Sequence, residues 1–266
     1  MHSSTMLSSA YPSFSPSLAE AAPCAGPNAA NDQEPQLEPT VFLPGLLCDQ
    51  SLWQNQVEAL ADVCAPMIAN LTLDDTVEAM ARRTLAAAPA RFSLAGLSMG
   101  GYVALEIMRQ APERVTRLAL VNTSARADTA ERAAQRRAGM ESLKRGKFVG
   151  ITHGLLGNLI HRSQMETQVG QQMRSMASRV GGEAFLRQQS AILNRPDFSD
   201  VLPGIAVPTM IVVGEDDRVT PVSHAREMHA AIAGSTFHLV PECGHMSALE
   251  RPEDTTALLR TWLEAA

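Results

Sequence analysis

The chain has 266 residues, of which 45% are hydrophobic and 19% are charged, which is enough for one large α/β domain with a sizeable core. Its formal net charge of −6 argues against nucleic acid as the main partner. No apolar run approaches the roughly 18 residues that a membrane-spanning helix requires, so no membrane partner is expected.

Residues 1–38 are rich in Ser, Ala and Pro, and they contain neither a basic n-region nor an apolar h-region. The segment therefore does not read as a secretory signal. Its composition would bury too little apolar surface to offset the cost of ordering, which predicts a disordered tail. The folded domain is predicted over residues 39–266, and a buried strand over Pro39–Leu43 begins it.

Strand and helix patterns then alternate along the chain, which is typical of a parallel sheet with right-handed crossovers. A Glu three residues after Asp75 makes Asp75 the predicted N-cap of one of these helices. In chain order the patterns predict a helix over Trp53–Ala61, a strand over Cys64–Ile68, a helix from Asp75 to Ala88, a strand and helix over Phe92–Gln110 and a strand over Leu118–Val121.

The alternation stops at about residue 125 and resumes at about residue 205. Roughly 80 residues is too long for a structureless loop in a compact domain, so we interpret this stretch as a helical cap over the strand ends. Helices are predicted within it over Thr129–Arg145, Gln164–Val180 and Glu183–Leu193. Beyond it the patterns predict strands over Thr209–Val213 and Phe237–Val240 and a closing helix over Glu253–Glu264.

A Gly-x-Ser-x-Gly motif centred on Ser98 directly follows one of the predicted strands. The pattern predicts a sharp strand-to-helix turn that holds the serine hydroxyl above the sheet edge, with Gly96 and Gly100 where close packing excludes side chains. The N–H of Met99 would then lie at a helix N-terminus, where it favours a developing negative charge. The motif also occurs by chance, so its context has to decide.

Two partners for this serine follow in chain order, each just after a predicted strand. Asp217 lies in an acidic turn, and His245 follows a glycine near the end of the domain. The carboxyl ends of parallel strands share one edge of the sheet, where ligands collect. We expect Ser98 to be a nucleophile, His245 its base and Asp217 the orienting acid, with Asp216 as a weaker alternative for the acid.

The remaining predictions concern the edges of this site. The acid could instead follow the predicted strand Leu118–Val121, but the residue there is Asn122, which carries no charge. The other histidines, His224 among them, are interpreted as structural or solvent-exposed. The second oxyanion donor is expected to be the N–H of Leu46, with that of Leu47 as the fallback, because Gly45 allows close approach of the backbone.

Apolar residues that could line a substrate pocket occur in the cap and near the oxyanion loop, although such residues more often belong to a core. The candidate substrate-binding residues are Leu47, Trp53, Phe148, Met173 and Phe185. A basic cluster in the cap could attract an acidic substrate or acyl carrier, but a solvated helix face is the favoured interpretation. Its members are Arg126, Arg132, Arg136, Arg137, Lys144, Arg145 and Lys147.

These motifs together resemble the α/β-hydrolases of the single-domain esterase, lactonase (enol-lactonase-like) and haloperoxidase-like group. The matching residues are Leu43-Pro44-Gly45, Gly96-Leu97-Ser98-Met99-Gly100-Gly101, Gly214 through Pro221, and Gly244-His245 with Glu250-Arg251-Pro252. The resemblance covers about residues 39–264 and implies a mostly parallel sheet of about six strands flanked by helices, with a helical cap. Relatives often carry His-Gly where this chain has Pro44-Gly45, which weakens inference about the substrate.

The resulting functional expectation is a serine hydrolase that cleaves a small carboxylic ester or lactone through an acyl-serine intermediate. No cofactor and no metal are expected. A C–C bond hydrolase, an acyltransferase, a cofactor-free perhydrolase and a non-catalytic ligand receptor stay open as alternatives. The four cysteines, Cys24, Cys48, Cys64 and Cys243, form no Cys-x-x-Cys pair, which favours a reduced cytoplasmic setting without excluding disulfides.

Overall fold

The structure is a computed structural model that describes Met1, residues 37–146 and residues 148–265. Its centre is a six-stranded sheet in the order β2-β1-β3-β4-β5-β6, and every neighbouring pair of strands is parallel. The fold class expected from the sequence is thereby confirmed. The strands are β1 (Glu38–Leu43), β2 (Cys64–Ile68), β3 (Phe92–Leu97), β4 (Val115–Val121), β5 (Thr209–Gly214) and β6 (Thr236–Val240). The tail predicted over residues 1–38 lies almost wholly outside the described residues.

Helices cover both faces of this sheet, and the interior strands β3 and β5 are buried along their whole length. Burial on both faces explains why these strands are continuous apolar runs rather than alternating ones. The helices are α1 (Gln54–Ala59), α2 (Val77–Ala87), α3 (Met99–Gln110), α4 (Ala130–Arg145), α5 (His153–Leu159), α6 (Gln168–Leu193), α7 (Val222–Ala231), α8 (Ser247–Glu250) and α9 (Pro252–Glu264). Among the residues described, no helix combines the length and apolarity that crossing a membrane would demand.

Two apolar cores form because successive side chains of a strand point to opposite faces. In β1, Val41 and Leu43 belong to the core that α2, α3 and α7 close. Phe42, between them, belongs to the core on the other face, which α8 and α9 help to close. The sheet is therefore held from both sides, and its carboxyl edge is a rigid base for the loops that follow β1, β3, β4, β5 and β6.

The N-cap of α2 is one residue later than predicted. Thr76, not Asp75, has the extended backbone of a cap, and its side chain accepts a hydrogen bond from the N–H of Ala79 at 3.1 Å. Glu78 does not reach back to the cap as a capping box would require, because it pairs with Arg82 one turn further along the helix.

Three helices, α4, α5 and α6, occupy the segment between β4 and β5, and we call them the inter-strand helices. The two helices predicted over Gln164–Val180 and Glu183–Leu193 are the two parts of α6, which is interrupted at Gly181. This glycine has a φ of 77°, a conformation that costs other residues free energy. Helix α5 was not predicted, and α4 has no buried side chain.

Candidate active site

Ser98 occupies a sharp turn between β3 and α3, with φ 55° and ψ −115°. These angles are unfavourable for a residue other than glycine, and such strain is typical of functional turns. A Cβ on Gly96 would lie 2.5 Å from the carbonyl oxygen of Gly100, and one on Gly100 would overlap the carbonyl of Leu43. The motif glycines are therefore required by close backbone contacts on either side of the serine.

The turn brings Ser98 to His245, and His245 in turn to Asp217. Ser98 Oγ lies 2.8 Å from His245 Nε2, and His245 Nδ1 lies 2.8 Å from Asp217 Oδ2. All three residues are buried, with His245 only 2% exposed. An imidazole between a hydroxyl and a carboxylate can accept the hydroxyl proton while the carboxylate stabilises the resulting charge.

Asp217 is held as a carboxylate by its surroundings. Its Oδ1 accepts hydrogen bonds from the N–H groups of Val219 and Thr220 at 2.8 and 2.9 Å, and its Oδ2 accepts one from the hydroxyl of Thr220 at 2.9 Å. Burial acts to raise the pKa of Asp217, but the charge and hydrogen bond of His245, with hydrogen bonds from Asn122 and the Thr220 N–H, outweigh it and lower the pKa to about 2. Asp216, the alternative acid, is exposed and lies 3.9 Å from His161 instead.

Asn122 is part of the site, although it had been set aside as an uncharged residue. Its amide nitrogen donates to Asp217 Oδ2 at 3.0 Å and to the carbonyl of Gly244 at 3.2 Å. Its amide oxygen accepts a hydrogen bond from the hydroxyl of Ser247 at 2.6 Å. Asn122 therefore links the acid to the loop that carries His245. The sequence signal for this role is an Asn directly after a buried strand, and in the structure that residue has a φ of 45°.

Glu250 anchors the loop that carries His245. Its two carboxylate oxygens accept hydrogen bonds from the backbone N–H groups of His161 at 2.7 Å, Gly244 at 3.0 Å and Met246 at 2.9 Å. Burial raises the pKa of Glu250, although the three N–H groups act in the opposite direction. The residue belonged to a sequence motif, but this role was not predicted.

The loop after β1 lies against Ser98, since a Cβ on Gly45 would be 3.5 Å from Ser98 Cβ. Within the part of the chain that the structure describes, the N–H groups of Leu46 and Met99 donate to no other residue. Both are the donors that the sequence predicts for an oxyanion. Two unpartnered N–H groups beside a serine can stabilise a negatively charged oxygen.

The N–H of Leu47, the fallback donor, is already engaged. It donates to Gln188 Oε1 at 3.0 Å, while the Gln188 amide nitrogen donates to the carbonyl of Leu71 at 3.1 Å. Leu47 has a φ of 59°, so its backbone conformation depends on such support. Gln188, on α6, is completely buried and was missed from the sequence, because 141 residues separate it from its partner.

A cavity of about 800 Å³ lies over Ser98 and His245. Leu47, Met173 and Phe185 line it, as the sequence predicts.

Two other predicted pocket residues do not line this cavity. Trp53 is completely buried in the core, with its ring 5.2 Å from that of Phe42 and its Nε1 donating to the carbonyl of Leu43 at 3.2 Å. Phe148 packs behind Phe185, with ring centroids 5.9 Å apart. Both predictions are wrong because the same apolar pattern serves the core and the pocket.

Only part of the predicted basic cluster faces the cavity. Arg132 and Arg136 line it, whereas Arg126 and Lys144 form ion pairs with Glu227 and Glu141. Lys147 lies outside the described residues. Two residues that had not been assigned to the site, Arg218 and His224, also line the cavity.

A family model described as "Alpha/beta hydrolase family" matches residues 40–258. Among curated relatives, the pimeloyl-[acyl-carrier protein] methyl ester esterase of Neisseria meningitidis is 27% identical over 197 residues, covering 71% of this chain and 75% of that protein. The proline iminopeptidase of Lactobacillus acidophilus is 42% identical over 69 residues, and the match spans only 26% of this chain and 23% of that enzyme.

Solved structures resemble this one over most of its length. A thermophilic esterase from Thermogutta terrifontis, with malate bound, has a TM-score of 0.76 and 29% identity, covering 85% of this chain and 89% of that one. The enol-lactonase from Burkholderia xenovorans has a TM-score of 0.72 and 25% identity, covering 87% and 93% respectively.

Proposed function

This chain belongs to the α/β hydrolase family, and from that premise we propose that it is a serine hydrolase acting on a small carboxylic ester or lactone. The pair of 2.8 Å hydrogen bonds that join Ser98, His245 and Asp217 carries the proposal. The esterase and enol-lactonase among its relatives support the choice of ester or lactone as the substrate class.

In the first half of the reaction, Ser98 Oγ attacks the carbonyl carbon while His245 Nε2 takes the hydroxyl proton. Asp217 keeps the imidazole oriented and stabilises its positive charge. The N–H groups of Leu46 and Met99 form the oxyanion hole. When the tetrahedral intermediate collapses, the bond to the leaving oxygen breaks, His245 gives its proton to that oxygen, and an acyl-serine remains.

In the second half, a water molecule attacks the acyl carbon and loses a proton to His245. The bond between the acyl carbon and Ser98 Oγ breaks, and His245 returns the proton to the serine. The products are the free acid and an alcohol, or a single hydroxy acid when the substrate is a lactone. Each half uses the same base and the same oxyanion donors, so one site serves both steps.

Trapping the acyl-serine tests the proposal. The protein is mixed with p-nitrophenyl butyrate, quenched in acid within the first turnovers, and digested for mass spectrometry. We expect a butyryl group on the peptide that contains Ser98. Turnover without that adduct would contradict the covalent route, and no turnover across a panel of esters, thioesters and lactones would favour a ligand receptor.

Gln188 offers a separate test of the oxyanion loop. The Gln188→Leu substitution removes the acceptor of the Leu47 N–H, so Leu46 loses its fixed position. We expect kcat to fall about tenfold with little change in KM, less than the ~10²–10³-fold cost of deleting an oxyanion donor itself. Steady-state kinetics with p-nitrophenyl butyrate measure the two constants.

The matched control is Gln172→Leu, on the same helix. The Gln172 amide donates a hydrogen bond of 3.0 Å to the carbonyl of Ser51, and this contact lies outside the site. The control should leave both constants within about twofold of the wild type, as a substitution remote from catalysis does. If the two variants lose the same activity, or if Gln188→Leu raises KM alone, the positioning role of Gln188 is wrong.

A further inference from the structure

One corner of the cavity gathers positively charged side chains from two parts of the fold. Arg132 comes from α4, and Arg218 comes from the loop after β5; both line the cavity. The guanidinium of Arg132 donates to the carbonyl of Val219 at 2.8 Å, which brings the two arginines to the same loop. We call Arg132 and Arg218 the arginine corner.

The two arginines of this corner are not engaged in ion pairs among the described residues. Across residues 37–146 and 148–265, neither arginine forms an ion pair with a carboxylate, and none of the residues that line the cavity is Asp or Glu. Arg136, also in the wall, is by contrast paired with Asp128 at 2.8 Å. The chain as a whole has a net charge of −6, so two guanidinium groups without ion-pair partners in one cavity favour an anionic ligand there.

A third group beside the corner also lacks a partner. His224, on α7, lines the cavity, and its Nδ1 is buried without a hydrogen-bond partner among the described residues. Burial and the neighbouring Arg126 and Arg132 lower its pKa, which keeps the imidazole neutral at pH 7. A neutral imidazole has one N–H donor and one acceptor, so His224 adds a polar, uncharged group to the cavity wall beside the arginines.

The corner is built on the same peptide segment as the candidate acid. The carbonyl of Val219 accepts from Arg132, and its N–H donates to Asp217 at 2.8 Å. An anion bound in the corner therefore has a fixed position relative to Asp217 and His245. This is the arrangement that orients a substrate by a group other than the one that reacts.

We propose that the substrate carries a carboxylate in addition to its scissile ester or lactone, and that Arg132 and Arg218 bind that carboxylate. The inference rests on the proposed function for the reacting group, and it adds the chemical class of the rest of the substrate. Guanidinium groups suit this role because they donate in a planar fork that matches a carboxylate.

Matched pairs of substrates test the proposal. One pair places the carboxylate in the acyl part, as methyl hydrogen adipate against methyl hexanoate. The other places it in the alcohol part, as carboxymethyl butyrate against propyl butyrate. We expect kcat/KM for the anionic member of at least one pair to exceed that of its neutral partner by about tenfold or more, as charge-assisted hydrogen bonds allow. Equal rates in both pairs, or a preference for the neutral members, would overturn the proposal.

The double variant Arg132→Gln/Arg218→Gln should reduce this ratio to about one. Arg137→Gln is the control, because Arg137 is an exposed residue of α4 outside the cavity wall and its loss removes one positive charge from the same helix. It should preserve the ratio. If the ratio survives in the double variant, or falls equally in Arg137→Gln, the arginine corner is not the binding site.

Calorimetry separates failure of this inference from failure of the proposed function. Adipate is titrated into the Ser98→Ala protein with and without the two arginine substitutions, so no turnover is needed. Binding that is lost with the arginines supports the corner even if no ester is hydrolysed. If neutral esters are hydrolysed but adipate binding does not depend on the arginines, the proposed hydrolase function is supported and the carboxylate site at the arginine corner is wrong.

Discussion

Replacement of Ser98 by alanine is expected to lower kcat for p-nitrophenyl butyrate by about 10⁴-fold or more, while the protein stays folded. The loss follows from the proposed role of Ser98 Oγ, since a nucleophile cannot be replaced by its neighbours and members of such a unit fail together. The backbone turn should persist, because the contacts around Gly96 and Gly100 do not involve the hydroxyl. Initial rates, with thermal unfolding followed by circular dichroism, measure both parts.

Ser93→Ala is the matched control for this experiment. Ser93 is buried on β3, the strand that precedes Ser98, and its hydroxyl donates to Glu38 at 2.9 Å, remote from the cavity. The control loses a partly buried hydrogen bond of about 1 kcal/mol without touching the site, so its kcat should stay near that of the wild type. Full activity in Ser98→Ala would remove the serine from the reaction and, with it, the acyl-serine mechanism.

The second large effect is expected for Asp217→Asn, with a decrease in kcat of about 10³–10⁴-fold. An amide keeps the shape of the side chain but cannot stabilise the imidazolium, and its nitrogen would oppose the N–H groups of Val219 and Thr220. The same substitution at Asp216 is the natural control. Its side chain is 47% exposed, and its carboxylate lies 3.9 Å from His161 Nε2.

Comparison of Asp216→Asn with Asp217→Asn decides which of the two adjacent aspartates is the acid. Asp216→Asn should retain kcat within a few-fold of the wild type, in keeping with an exposed surface substitution. Equal losses in the two variants would mean that the turn acts through its overall charge. A larger loss at Asp216 would reverse the assignment of the acid.

The sheet and the three candidate triad residues could be predicted because both are encoded locally. Continuous apolar runs mark the buried strands, and the glycines around Ser98 mark a backbone turn that few sequences can adopt. The order of strands in a parallel sheet then brings residues that follow different strands to one edge.

The supporting residues could not be predicted for a different physical reason. Asn122 and Gln188 act through hydrogen bonds to partners 95 and 141 residues away, and a polar side chain in a sequence does not show which distant group it meets. The cavity positions of Arg218 and His224 could not be predicted because only the packing of α4 against the loop after β5 and against α7 determines which polar side chains face the cavity. Trp53 shows the opposite error, since an aromatic residue near the site was assigned to the pocket and belongs to the core.

The three hydrogen bonds to Glu250 have a consequence for how a bulky molecule can reach the serine. They join the backbone of His161, just after α5, to the loop that carries His245, so these two segments are held together as one unit. Helix α4 takes no part in that junction and has no fully buried residue; side-chain hydrogen bonds join it to its neighbours, from Arg132 to the carbonyl of Val219 and from Arg136 to Gln189. Residues of α4 line the cavity, and none of them belongs to the candidate triad, so substitutions along α4 should change which molecules reach Ser98 more than they change the chemistry there.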